Sequence, residues 1–123
     1  RARDLWLEAQ ARQRRPLVLT WMGRLDEAEA AALESHAFSR RLHDWSGCSL
    51  SSTTSAAVAL ARGDFADVEL HAREGMRMMR RSSYPWGALL FLPALAAARA
   101  LRGDFGAAED AVALLEEPGR VFP

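Results

Sequence analysis

The sequence predicts an all-α chain of three stacked helix-turn-helix hairpins, about six helices in total. Three observations carry this. First, one turn occurs three times, as Gly23-Arg24-Leu25, Gly63-Asp64-Phe65 and Gly103-Asp104-Phe105, with 63 − 23 = 40 and 103 − 63 = 40. The segments that open there read GRLDEAE, GDFADVE and GDFGAAE and keep Glu29, Glu69 and Glu109 in one register. A fixed period of this size is the mark of a helical-repeat array, whose hairpins bury their apolar faces by stacking. Second, Trp6, Trp45 and Trp86 stand 17, 18 and 17 residues before their glycines (23 − 6, 63 − 45 and 103 − 86). Third, abundant Ala and Leu, with one Tyr and no Ile, favour helix over sheet.

The first hairpin covers roughly residues 4–43. Its first helix carries a stripe of Trp6, Ala9, Gln13, Leu17, Thr20 and Trp21, interrupted by Pro16. A proline inside a helix removes a backbone donor, so either the helix kinks there or a second short helix begins with Pro16 in its first turn. The second helix, about 25–42, has Leu25, Ala28, Ala32 and Ser39 on its inner stripe. Asp26, Glu27 and Glu29 suit its positive end, and Arg40 with Arg41 suit its negative end.

The second hairpin covers roughly 44–84. Asp44 is placed to cap a helix starting at Trp45. The run Ser49-Leu50-Ser51-Ser52-Thr53-Thr54-Ser55 is poor helix former alone, but a loop of that length is foreign to a tight repeat. It reads as a helix whose small hydroxyl face packs closely on a neighbour. The next helix, about 65–80, follows three-and-four spacing through Phe65, Val68, Ala72, Met76 and Met79, with Gly75 implying a close helix contact.

The third hairpin covers roughly 85–118. Pro85 opens a helix that is apolar nearly all round and should bend at Pro93. The last helix, about 105–117, repeats the fourth through Ala108, Val112 and Leu115, and Pro118-Gly119 stops it. The register predicts that Phe65 and Phe105 are both buried, at equivalent positions; a solvent-exposed Phe105 would contradict it.

These turns resemble the tetratricopeptide repeat. That family places Gly, then Asp or a polar residue, then an aromatic, then a small residue three positions on. Gly63, Asp64, Phe65 and Val68 match, as do Gly103, Asp104, Phe105 and Ala108. Ala56 and Ala96 supply the small residue of the preceding helix. Gly23, Arg24, Leu25 and Ala28 form a divergent copy without the aromatic, with Pro16 in place of the small residue. The period of about 40 exceeds the family's own, so the first helices are longer than its standard. The stretch from Tyr84 to Phe122 is similar to the C-terminal helical region of actinobacterial multidomain signalling proteins. Those carry a nucleotide-cyclase or DNA-binding domain with a signalling ATPase module. The resemblance implies an α-solenoid that regulates or scaffolds such a protein.

Composition narrows the function classes. The 123 residues carry 16 basic and 16 acidic side chains, a net charge of zero, which signals neither disorder nor broad attraction to nucleic acid. Every basic residue is Arg. The single Cys48 excludes an internal disulfide framework and points to a reducing, cytoplasmic setting. No secretory leader or bilayer-spanning run is visible, so no membrane partner is expected. The chain reads as one domain, 1–123, cut from a longer protein, with structure continuing on at least one side.

No residue set demands a chemistry. Arg62-Gly63-Asp64 and Arg102-Gly103-Asp104 spell an adhesion tripeptide, but a left-handed glycine followed by a capping aspartate explains both. His36, His43, Asp44 and Cys48 are close in sequence, yet spacings of seven and five (43 − 36 and 48 − 43) do not share a helix face, so no metal is expected. Cys48 or the hydroxyls of Ser51–Ser55 would need a base, and His71 is the one distant histidine, with nothing to place it near them. Neither enzymatic activity nor a cofactor is expected.

What remains is binding. The family takes peptides on the face of its first helices, which maps here to Gln13 and Leu17, then Leu50, Thr53 and Ala57, then Leu90, Pro93 and Ala97. Lacking Lys and Asn, that face cannot be the carboxylate-gripping version. It suits an amphipathic helix or a neighbouring domain. Arg40 and Arg41 stand one repeat from Arg80 and Arg81, and stacking would set them on one edge, available to acidic partners. The expected partners are thus proteins or neighbouring domains of the same chain, with self-association through exposed end faces a further option. The alternative is a ligand-sensing domain that takes a small apolar molecule in the groove.

Overall fold

The computed structural model describes residues 2–82 and 92–116, and within these the chain forms α1 (Ala2–Trp21), α2 (Leu25–Arg41), α3 (Trp45–Ala61), α4 (Phe65–Arg81), α5 (Leu92–Leu101) and α6 (Phe105–Glu116). The helices pair as the hairpins α1–α2, α3–α4 and α5–α6. Each hairpin packs on the next, with α3 in contact with α1, α2, α4 and α5. The expected opening of the fifth helix at Pro85, its run up to Phe91, Trp86 and the Pro118-Gly119 stop lie outside the described residues.

The turns are built as the glycine period requires. Gly23, Gly63 and Gly103 take φ of +75°, +75° and +82°, the left-handed region that a Cβ disfavours. At each, the residue after the glycine donates its N–H to a carbonyl five residues back: Arg24 to Leu19, Asp64 to Ala59, Asp104 to Arg99. Asp64 and Asp104 then accept the N–H of Asp67 (3.2 Å) and Ala107 (3.1 Å). These bonds satisfy donors that every helix start leaves orphaned. Arg24 makes no such bond; its guanidinium pairs with Glu27 instead.

The connection between hairpins one and two proves to be the same turn. His43 adopts φ +54°, Asp44 donates to the Ser39 carbonyl five residues back, and the Asp44 side chain accepts the N–H of Gly47 at 2.9 Å. The geometry at 23 and 63 therefore also occurs halfway between them, at 43. His43-Asp44-Trp45 is the sequence counterpart of Gly63-Asp64-Phe65, with histidine where glycine would be easier.

Alternatives left open around α1 and α3 resolve through packing. α1 runs unbroken through Pro16, which is buried along with Ala9, Gln13 and Leu19 of the same helix. α3 is helical throughout its hydroxyl run and is the most enclosed element, with Gly47, Cys48, Ser49 and Ser51 to Thr54 all buried. Ser51, Ser52, Thr53 and Thr54 each donate to the carbonyl four residues back. Ser49 crosses to the Gly75 carbonyl of α4 at 3.1 Å, the close contact that Gly75 implied. Buried hydroxyls keep their hydrogen bonds while leaving little bulk between helices.

Three apolar clusters run along the stack. Leu19, Ala28, Ala31 and Val58 join α1, α2 and α3; Ala56, Ala59, Val68 and Ala98 join α3, α4 and α5; Ala72, Met79, Leu92, Leu95 and Ala111 join α4, α5 and α6. The expected core of α6 needs correction. Val112 is exposed and Phe105 is 67% exposed, whereas Ala108 and Ala111 are buried. The physical reason lies in the neighbour. Phe65 is half-buried against a cluster to which α5 of the next hairpin contributes Ala98, and no described element follows α6 to complete such a cluster at Phe105. Equivalent positions in a repeat are equally buried only where the next repeat is present. The burial expected of Phe105 therefore fails, and the repeat rests on the turns and on the pairing of hairpins.

Candidate functional site

Residues that invite chemistry are taken up by the packing. Cys48 is fully buried, its thiol directed at the His36 carbonyl at 3.8 Å, and burial pushes its pKa up to about 11. Such a thiol is a packing group, not a nucleophile. His36 is half-buried, and desolvation lowers its pKa. His43 meets Trp45 edge-on with ring centroids 5.7 Å apart. Among the described residues, no group of three or more His, Cys, Asp or Glu side chains is arranged to hold a metal ion.

His71 sits closer to the hydroxyl run than the sequence indicates. It shares with Ser55, Glu29, Arg62 and Asp67 a small recess of about 70 Å³ where α2, α3 and α4 meet. Serine and histidine at i and i+16 on two neighbouring helices meet there because α3 and α4 run antiparallel. The arginine in this recess is already engaged: Arg62 pairs with both Asp26 and Glu29 of α2.

The residues mapped to the first-helix face are divided by the fold. Gln13 is buried and its amide donates to Asp44 Oδ2 at 3.2 Å, so it ties α1 to the turn before α3. Thr53 is buried with its hydroxyl donated to Ser49. Leu17, Leu50, Ala57 and Ala97 are half-buried and Pro93 is exposed, while Leu90 lies outside the described residues. The arginines Arg40, Arg41, Arg80 and Arg81 are all exposed at helix ends. Arg81 stacks on the Trp45 ring at 4.3 Å, and Arg41 reaches over Phe38 at 5.5 Å, with Arg12 on that same ring at 4.7 Å. Aromatic faces thus hold Arg81 and Arg41 in place.

Two features escaped the sequence reading. One is a polar junction of Gln13, Ser39, Asp44 and Gly47, where a Cβ on Gly47 would fall 2.4 Å from both Asp44 Oδ2 and Gln13 Nε2. The other is a pair of ion pairs that lock hairpin to hairpin. Glu29 accepts from Arg62, and Glu69 accepts from Arg99 at 2.8 and 3.2 Å. Arg99 also donates to the Ala107 carbonyl at 3.1 Å, and this guanidinium lowers the Glu69 pKa. The shared register of Glu29, Glu69 and Glu109 was the visible signal; the partner arginines, 33 and 30 residues away, were not.

Large exposed apolar groups lie on the first and last hairpins, with Leu33 of α2 and Leu70 of α4 also exposed. On α1 and its turn these are Leu5, Trp6, Val18, Trp21 (75% exposed) and Met22; at the other end they are Leu101, Phe105 and Val112. Phe105, Ala108, Glu109, Val112 and Glu116 line an open groove of about 390 Å³ along α6. No described helix is long and apolar enough to cross a membrane. Compared with family models, curated proteins and solved structures, the chain finds no match in any of the three.

Proposed function

We propose that this chain is a non-catalytic, tetratricopeptide-like scaffold that makes protein or interdomain contacts within a bacterial signalling protein, such as a cyclase or transcriptional regulator. The observation that carries the reading is the exposure of large apolar side chains at both ends of the stack, Trp6, Trp21 and Met22 at one and Leu101 and Phe105 at the other. Exposed large apolar side chains are the groups that contact with a partner would cover. The buried thiol of Cys48 and the internally bonded hydroxyls of Ser51 to Thr54 support a packing role over a catalytic one.

The test is to introduce Trp21→Arg and Phe105→Glu, separately, into the parent protein. Both positions are solvent-exposed, so helicity should be unchanged while the parent's regulated output changes in at least one variant. Wild-type output from both, at full helicity, would overturn the reading.

A further inference from the structure

The interface between successive hairpins repeats its apolar positions and its acceptor glutamate, while the arginine that answers shifts register from Arg62 to Arg99; the face of α6 carries a third copy of the acceptor side. In the first instance Leu25 and Ala28 of α2 lie against Val58 of α3, and Glu29 takes Arg62. In the second, forty residues on, Phe65 and Val68 of α4 lie against Ala98 of α5, and Glu69 takes Arg99. The arithmetic of the apolar contact is the same throughout: 25 + 40 = 65, 28 + 40 = 68 and 58 + 40 = 98. Adding forty again gives Phe105, Ala108 and Glu109. These residues are present on α6 and line its open groove: Phe105 and Glu109 are exposed there, and Ala108, 8% exposed, forms the groove floor between them.

We propose that the α6 groove docks an amphipathic helix that sets a small apolar residue on Ala108 and an arginine on Glu109, the arginine one or four positions after the small residue. The spacing is read from the two filled interfaces, since 99 − 98 = 1 and 62 − 58 = 4. This rests on the contact-module reading and specifies its partner. Charge favours such a helix: α6 carries Glu109, Asp110 and Glu116 and no basic residue. A second copy of this chain, docked head to tail, fits less well. Its α1 would supply exposed Val18 at the right register (58 − 40 = 18), but Leu19 and Met22 stand where Arg99 and Arg62 act (99 − 80 = 19, 62 − 40 = 22). Glu109 would then face an aliphatic side chain at both positions.

The probe is a fourth hairpin of known sequence. Residues 84–118 are fused directly after Pro123, which preserves the period because 124 − 84 = 40. Docking should raise the thermal midpoint by about 2–4 °C in one cooperative transition. It should also protect the amides of α6 from exchange. Replacing the added arginine (the copy of Arg99) by Ala, or Glu109→Gln, should each cut that gain, and the two together should cut it no further. An added hairpin that melts separately and leaves the midpoint unchanged would overturn the proposal. So would a gain insensitive to Glu109→Gln. Concentration-dependent association of the unfused chain, abolished by Val18→Glu, would assign the face to a second copy and overturn it too. These readouts involve no parent activity, so their failure is separate from failure of the contact-module reading.

Discussion

Gly47 shows how little room the helix junctions leave. It sits in the first turn of α3, where the Asp44 carboxylate receives its N–H at 2.9 Å, and the Gln13 amide reaches the same carboxylate from α1. A methyl group there would overlap Asp44 and Gln13 at 2.4 Å and Ser39 Oγ at 2.5 Å. The Asp44 carboxylate is held by both the Gly47 N–H and the Gln13 amide, so relief means giving up a cap or an interhelical bond. Gly47→Ala should therefore destabilise the chain by about 1–3 kcal/mol, despite alanine's better helix propensity. Gly106 is the control, because a Cβ there meets nothing within 4 Å and its backbone is helical. Gly106→Ala should be neutral or stabilising by up to about 1 kcal/mol. Urea midpoints of the two variants check the pair, and equal effects would mean the junction is looser than its geometry.

At the scale of the helices, burial follows from which hairpin comes next. Phe65 is half-buried beneath α5 and Phe105 is open, although the two open equivalent helices. Phe65→Ala should cost about 1–3 kcal/mol and Phe105→Ala less than about 0.5 kcal/mol in denaturation experiments. A large loss from Phe105→Ala would mean that side chain is covered in solution. The ion pair between Glu69 and Arg99 gives this packing a pH dependence. Arg99, the main cause, lowers the Glu69 pKa below its ordinary 4.5, so the folded carboxylate resists protonation more than the unfolded one. Its contribution is complete above pH 4.5 and is lost as pH falls through the lower folded value. Glu69→Gln should be less stable than wild type at neutral pH, with the difference narrowing on acidification below pH 4.5. A difference independent of pH would exclude the ionic contribution. The helices, their turns and the hydroxyl-faced α3 were legible in the sequence because spacing and capping are local properties. What was not legible depends on residues far apart: the partner arginines of Glu29 and Glu69, the withdrawal of Gln13 and Thr53 into internal bonds, and the exposure of Phe105. The His43 turn lies between these cases, since Asp44 and Trp45 announced it but its left-handed residue is not glycine.

For the whole molecule, stacking makes stability a property of position along the array. Each hairpin draws stability from its own helices and from its interfaces, so an element with neighbours on several sides opens last. α3 is that element: it contacts α1, α2, α4 and α5, it buries ten residues, and the buried hydroxyls of Ser49 and Ser51 to Thr54 are bonded within the helix or to Ser35 and Gly75. α6 buries two of its residues, Ala108 and Ala111, and turns Phe105 and Val112 to solvent. Local opening free energies range from near zero at fraying elements to the global value in the core. Amide exchange in native buffer should therefore be slowest in α3, reaching the global unfolding limit there, and fastest among the helices in α6. The Phe65→Ala substitution should widen this gap, because it weakens the seam that holds the third hairpin to the second. Uniform protection across α3 and α6 would show that the described hairpins unfold as one unit and that the end faces do not loosen the stack. The graded pattern would identify α6 as the element with most stability to gain from a docked helix.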